Sequence, residues 1–385
     1  MKKRYYFDHN ATTPVRPEVI EAMTPYLTDM YGNASSAHSF GREAHHAMEQ
    51  SRESVAQLIG AEPDEIFFTG CGTESDNIAL IGYMLSAPEG RDGIVTSKVE
   101  HSAIMKASAK LKRDGFSITY LDVDSLCRVL PDRIRESVNE TTALVSIMHG
   151  NNETGVLQDI EEAAKIAHEA GALFHTDAVQ STGKVPIDVK KMGIDMLSLS
   201  GHKLNAPKGI GALYIKKGIP VTPLTYGGSH EQGIRPGTEN IPWIVALAKA
   251  AELARENMNE EGESLSALRD KLEQGIVDAV PDIFVNGNDA PRLPGTTNIS
   301  FPGVDGEALL FSMDTEGIAV STGSACTTGE VEPSHVLIAM GREPKVAQGS
   351  LRFSLGWGTT DEGVEHILRI LPPVVKRLRS ISGGI

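Results

Sequence analysis

Through the middle of the chain, short runs of aliphatic and β-branched residues alternate with stretches whose apolar positions fall at helical spacing. DEIFFTG at 64–70 predicts a strand, and the segment from about Glu74 to Leu85 a helix. DGIVTS (92–97) predicts the next strand, with a helix after Glu100. ALVSIMH (143–149), ALFHTD (172–177), DMLSLS (195–200) and GIGALYI (209–215) read as further strands. Between the first two of these, DIEEAAKIAHEAG (159–171) reads as a helix stopped by Gly171. Strands separated by helices in this way form a mainly parallel sheet covered on both faces, an α/β fold. The Ala- and Glu-rich run at 245–280 predicts one extended helix leading into a smaller region. The expected division is a large α/β domain over 15–255 and a small α+β domain built from 1–14 and 256–385.

Composition narrows the picture. A chain of 385 residues is long for a single core, in keeping with two domains. A net charge of −15, with no run of Lys and Arg, argues against nucleic acid as a ligand. The opening MKKRYYFDHNATT lacks an apolar stretch of signal-peptide length, and no run approaches a membrane span. Cys71, Cys127 and Cys326 provide neither a disulfide framework nor a metal-ligand spacing, and no residue is assigned to a metal. The expectation is a cytoplasmic protein with reduced thiols.

Candidate chemistry gathers at the predicted strand ends. Lys203, in SLSGHKLNAPKGIGALYI, is either a solvated surface lysine or a Schiff-base lysine at the carboxyl edge of the sheet, where open α/β sheets bind ligands. Lys208 competes with it but lies between Pro207 and Gly209 in a structural turn. Asp177 ends ALFHTD, where it either faces a cationic ring nitrogen or caps the segment that follows. In TGCGTESDNIAL small residues open a helix, so that backbone N–H groups and Thr73 could cradle a phosphate, although GxGxxG and GxxxxGK[ST] are both absent. Cys71 in that turn is a rival reactive thiol, disfavoured because a bound phosphate opposes a thiolate. His101 in VEHSAI is placed to stack on a ring or move a proton, or is an ordinary hydrogen-bonded histidine. Arg352 in GSLRFSLG lies in an apolar run, where a guanidinium requires a carboxylate such as an amino-acid substrate carries. Cys326 sits in STGSACTTGEVEPSH, a loop composition with nothing apolar for a thiol to pack against.

Taken in order, FDHNATTPV, GNASSAHSFG, CGTESDN, EHSA, NNETG, HTDAVQSTGKVPID, LSGHKLNAPKGIGALY, GIRPGTEN, STGSACTTGEVEPSH and LRFSLG closely resemble the cysteine desulfurases of the class V aminotransferase group. These are pyridoxal phosphate enzymes of fold type I, and the wording leans toward the long-loop, nitrogenase-type branch. The resemblance covers essentially the whole chain. It implies a seven-stranded, mainly parallel sheet flanked by helices, a homodimer, and pyridoxal 5′-phosphate as cofactor. It also implies conversion of L-cysteine to L-alanine, with sulfur captured as a persulfide on Cys326. That sulfur would pass to an acceptor protein such as an iron–sulfur scaffold.

Residue by residue, the resemblance implies that Lys203 holds the cofactor and moves the substrate α-proton. Asp177 would pair with the ring nitrogen, Gln180 would bond the phenolic oxygen, and His101 would stack on the ring. Gly72, Thr73, Ser200 and His202 would bind the phosphate, with Thr238 reaching it from the other subunit. Asn152, which also borders the cofactor, and Arg352 would hold the substrate carboxylate. Departures from the family pattern are Ala34, Pro236 and Trp357, and Pro236 would stiffen the loop that carries Thr238. A class V aminotransferase would share Lys203 and Asp177 but have no use for Cys326. A silent iron–sulfur scaffold would not need Lys203, and a nucleotide-binding module would carry the missing fingerprints.

Overall fold

A computed structural model describes residues 3–322 and 332–381. The chain starts with a two-residue strand, β1 (Tyr5–Tyr6). It then builds a central sheet from β2 (Ile66–Thr69), β3 (Gly93–Ser97), β4 (Ser117–Leu121), β5 (Thr142–Ser146), β6 (Leu173–Asp177), β7 (Met196–Ser200) and β8 (Gly211–Ile215). Across the sheet the order is β2-β8-β7-β6-β5-β3-β4. The neighbours from β7 to β4 pair in parallel, whereas β8 runs antiparallel to both β2 and β7. Two reversals restore the direction, so β2 runs with the parallel set. The C-terminal ends of β2, β7, β6, β5 and β3 therefore all reach one edge.

Every strand read from the hydrophobic runs is present, trimmed at its ends, and the seven-stranded, mainly parallel sheet is the one expected. β4 escaped the sequence reading. Strands buried on both faces read as continuous apolar runs, and β3, β5, β7 and β8 are buried at every position. β4 lies at the sheet edge and alternates between exposed and half-buried residues until Leu121. The helix expected from Glu74 starts earlier, at Gly72, runs to Asn77 and continues as a π-helical turn, Ile78–Gly82. Such turns recur beside functional sites.

The helices Ser39–Ile59 and Ile241–Ala279 pack together over one face of the sheet, where Val55, Ile59, Ile244 and Leu247 join Phe68, Val145 and Leu199 in one core. The other face carries Leu80, Tyr83, Ile104 and Leu111 against Leu144 and Leu213. The far half of the long helix enters a separate core through Leu272 and Ile276. There β9 (Phe284–Val285), β10 (Thr296–Ser300), β11 (Ile318–Ala319) and β12 (Ser350–Ser354) follow in the chain. β10 pairs antiparallel with β9 and β12, while β11 pairs in parallel with β1. Phe7, just after β1, shares this core with Phe353, and Asp8 bridges to Ser354 of β12. The residues just after β1 are thereby laid across the edge of the central sheet. Among the described residues no helix is long and apolar enough to cross a membrane.

Candidate active site

At the carboxyl edge of an open α/β sheet, strands stop and helix N-termini begin, leaving backbone donors without intrahelical partners. Here β6 ends on Asp177, and β7 ends on Ser200 before a single 3-10 turn, Gly201–Lys203. His101 follows β3, Asn152 follows β5, and Gly72 opens the helix after β2. They enclose a cavity of about 300 Å³. Of the residues expected from the sequence, Gly72, Thr73, Ser200 and His202 line it, as do His101, Asn152, Asp177, Gln180 and Lys203. The rival thiol Cys71 lines it as well. Cys127 is buried, and its burial pushes the thiol up to about 12, which leaves it unreactive. Lys208, the rival lysine, does not line the cavity.

The Lys203 amine donates to the carbonyls of Asn10 and, at 2.8 Å, Ala11. Burial lowers its pKa to about 8, helped by the Arg352 charge and opposed by Asp8 and Asp177. Lys203 is thus a half-buried lysine that lines the cavity, not a freely solvated one. Asp177 is buried and accepts the Val179 N–H at 2.9 Å. Burial raises its pKa, opposed by the nearby His101 and Lys203 side chains. His101 uses Nδ1 to accept the Ala103 N–H at 3.2 Å, capping the helix Ser102–Arg113, which leaves its ring proton on Nε2. His202 faces Thr12 Oγ1 at 3.1 Å, and burial first, then Lys203, lowers its pKa to about 4.

Two expected residues stand outside the cavity. Arg352 is buried behind Asn152, donating to the Asn152 carbonyl at 2.9 Å and to Asp8 Oδ1 at 2.7 Å. The carboxylate that its apolar surroundings demanded is supplied within the chain by Asp8. Thr238 is exposed and borders a different cavity with Glu231 and Arg235. Cys326 lies outside the described residues. The chain on either side of that segment is tied to the site: Ser321 exchanges backbone hydrogen bonds with Arg352, and Ser334 Oγ donates to the Glu153 carboxyl beside Asn152.

Sequence reasoning missed the buried acids. Asp76 lines the cavity and is 1% exposed, and burial followed by the Asp177 charge raises its pKa well above normal. Asp76, His101 and Asp177 each bring one ligand atom within 4.8 Å of the others. Glu100 accepts the Met148 N–H at 3.1 Å and the Ser97 hydroxyl at 2.6 Å, and burial pushes its pKa to about 8. Nothing in ESDN or KVEH separates these carboxyls from solvated ones. Only the fold reveals their enclosure.

The donor set fits a group with an anionic end, a ring nitrogen and a carbonyl. The Ser200 hydroxyl is buried without a hydrogen-bond partner among the described residues. A Cβ on Gly72 would stand 2.6 Å from Val179 Cγ2, so only glycine opens this helix at such close quarters. Free helix N-terminal N–H groups beside that hydroxyl suit a phosphate. The enclosed Asp177 carboxyl suits a cationic ring nitrogen, and Lys203 is an amine that loses its proton near neutrality. Pyridoxal 5′-phosphate has each of these features.

Comparison with known proteins agrees. The family model of aminotransferase class-V matches residues 5–367. The chain is 50% identical to "Cysteine desulfurase 2" of Trichormus variabilis over 377 residues, covering 98% of this chain and 94% of that one. It is 47% identical to "Cysteine desulfurase NifS" of Azotobacter vinelandii over 378 residues, with 98% and 94% covered. Among solved structures, a "NIFS-LIKE PROTEIN" superposes with a TM-score of 0.91 at 38% identity, covering 98% of this chain and all of that one. With this strand-edge site and these relatives, the chain belongs to the pyridoxal phosphate-dependent cysteine desulfurases of the class-V aminotransferase family.

Proposed function

We propose that the protein converts L-cysteine to L-alanine in the cytoplasm and parks the sulfur as a persulfide on Cys326 for delivery to an acceptor protein. Iron–sulfur cluster assembly is the use that the family resemblance favours. The observation that carries this reading is the pairing of Lys203, with its lowered pKa, and the enclosed Asp177 at adjacent strand ends. Pyridoxal 5′-phosphate, when bound, supplies an electron sink for the bonds broken at the substrate's α- and β-carbons.

The chain's own groups do the rest. Lys203 would hold the cofactor, and as an amine that loses its proton near pH 8 it could accept the substrate α-proton. Asp177 would pair with the ring nitrogen, Gln180 would give a hydrogen bond to the ring oxygen, and His101 would stack on the ring. Gly72, Thr73, Ser200 and His202 hold the phosphate, and exposed Thr238 reaches the phosphate of the partner subunit in a homodimer. Asn152 orients the substrate carboxylate from the cavity wall, and Arg352 behind it would join by exchanging Asp8 for that carboxylate. In the sulfur step the Cys326 thiolate attacks the substrate sulfur, the carbon–sulfur bond breaks as the sulfur–sulfur bond forms, and a proton replaces sulfur on the β-carbon. L-Cysteine and the thiol thus become L-alanine and a persulfide with no external oxidant.

Mass analysis of the Cys326 peptide from cofactor-loaded protein given L-cysteine without reductant tests this directly. One added sulfur atom with alanine in solution is the expected result. An unmodified peptide with a perturbed cofactor spectrum would overturn sulfur transfer and leave an aminotransferase.

A further inference from the structure

Lys184 follows Gln180 by one helical turn's spacing, yet no role falls to it in the proposed chemistry. It is an unusual lysine. Among the described residues it meets no carboxylate, and the acceptor it finds is Gln180 Oε1 at 3.3 Å. Burial, then the charges of Lys203 and Arg352, lowers its pKa to about 7. It borders a small cavity of about 50 Å³ that Lys203 shares from the other side. The titratable and charged groups facing it are His9, His202, Lys203 and Arg352, with Arg16 and Glu261 across that cavity. Arg16 and Glu261 are paired with each other. A cation held among cations at this depth needs a reason.

The reason lies in the shape of a glutamine amide, whose two ends are nearly alike in size but opposite in hydrogen bonding. Gln180 Nε2 donates to the Asn10 carbonyl at 2.9 Å. With Nε2 held there, Oε1 is turned toward Lys184, which donates to it as the ammonium and, above its pKa of about 7, still as the neutral amine. Both neighbours therefore fix the same orientation and leave the second N–H of Nε2 to the main cavity, which Gln180 lines. The Asn10 carbonyl also accepts from Lys203, so its hold on Gln180 is shared, whereas the Lys184 hold is independent.

We propose that Lys184 is a positioning residue, donating to Gln180 Oε1 so that the amide presents its N–H to the cofactor's ring oxygen. This rests on the assignment of Gln180 given above. A donor to that oxygen favours its anionic form and draws it away from the protonated nitrogen of the Lys203 linkage. Weakening the donor therefore raises the pH at which the bound cofactor loses its proton.

The test is a spectrophotometric pH titration of cofactor-loaded wild type, Q180A, K184M, K184R and the K184M/Q180A double variant. Methionine replaces a buried cation with an apolar chain of similar length, a change that buried sites commonly accept. In Q180A the midpoint should rise by about one pH unit. K184M should move it the same way by no more than Q180A does, and the double variant should match Q180A alone. K184R, whose added atoms have the small cavity to enter, should keep the wild-type midpoint. A K184M midpoint equal to wild type would overturn the inference. So would a K184M shift that adds in full to that of Q180A, because a charge acting through space does not need Gln180. An unmoved Q180A midpoint would instead remove the assignment of Gln180 itself, and the inference with it.

Discussion

Lys203 shows how much a residue's chemistry depends on where its strand stops. An ordinary lysine, near 10.5, is almost wholly protonated at neutral pH, and a protonated amine cannot join an aldehyde. Burial beside Arg352 brings Lys203 to about 8, so its reactive fraction at neutrality is far larger. The rate of cofactor uptake by the empty protein should therefore climb with pH and level off above about 8, followed by absorbance after mixing. A rate still climbing in proportion through pH 9.5 would show an unshifted amine. Residues of this kind were legible because each combines a reactive side chain with a predicted strand end. Asp76 and Glu100 were not, since a carboxyl's burial is written in other parts of the chain. Arg352 lay between the two: its need for a carboxylate was readable, but the identity of Asp8 as the acceptor was not.

At the scale of elements, the loop bearing Thr238 is held by a buried clamp. Arg52, on the helix Ser39–Ile59, meets Glu231 through both terminal nitrogens at 2.9 Å, and Glu231 also accepts the Phe68 N–H of β2 at 2.8 Å. Glu231 and Gln232 hold left-handed backbone with φ of 46° and 54°, a strained arrangement for residues other than glycine. The ion pair offsets that strain and joins helix, strand and loop. Removing Glu231 leaves the buried Arg52 only the Ile66 carbonyl and the more exposed Glu49, so E231A should lower unfolding stability by up to about 3–5 kcal/mol in denaturant titration. Replacing both, as R52M/E231L, should cost less than E231A. A double variant weaker than either single one would show that the charges themselves are required. The central strands were legible because burial on both faces writes itself as unbroken apolar runs. β4 was missed because an edge strand is half solvated, and the clamp was missed because its partners lie far apart in sequence.

Across the whole molecule, buried histidines set the acid limit. Burial lowers His9 and His149 to about 4 and His175 to about 3, against 6.5 in an open chain. Between those values the unfolded chain binds protons that the folded one refuses, so stability falls as pH drops from about 6.5 toward 4. Glu100 acts in the opposite sense. Its folded value of about 8 exceeds the 4.5 of an open chain, so the folded state keeps a proton that the unfolded chain has released. That stabilisation is lost as pH rises through this range. Since the Glu100 window of 4.5 to about 8 overlaps that of the histidines, E100Q should steepen the acid side of the urea-midpoint profile and flatten its decline from about pH 6.5 to 8. An alkaline slope identical in E100Q would assign the effect to another group.

The pairing of the chain's beginning with its end bears on how the protein is made. Phe7 packs beside Phe353, Asp8 holds Arg352, and the Asn10 N–H reaches Ser354 Oγ at 3.0 Å. A ribosome releases residue 7 long before residue 354, and domains fold largely in the order they emerge. The central sheet can form while the tail is still being translated. The segment that receives Lys203 cannot settle until β12 has left the tunnel. Nascent chains stalled short of residue 350 should therefore have their sheet but no closed site, and competence would arrive with the last few dozen residues.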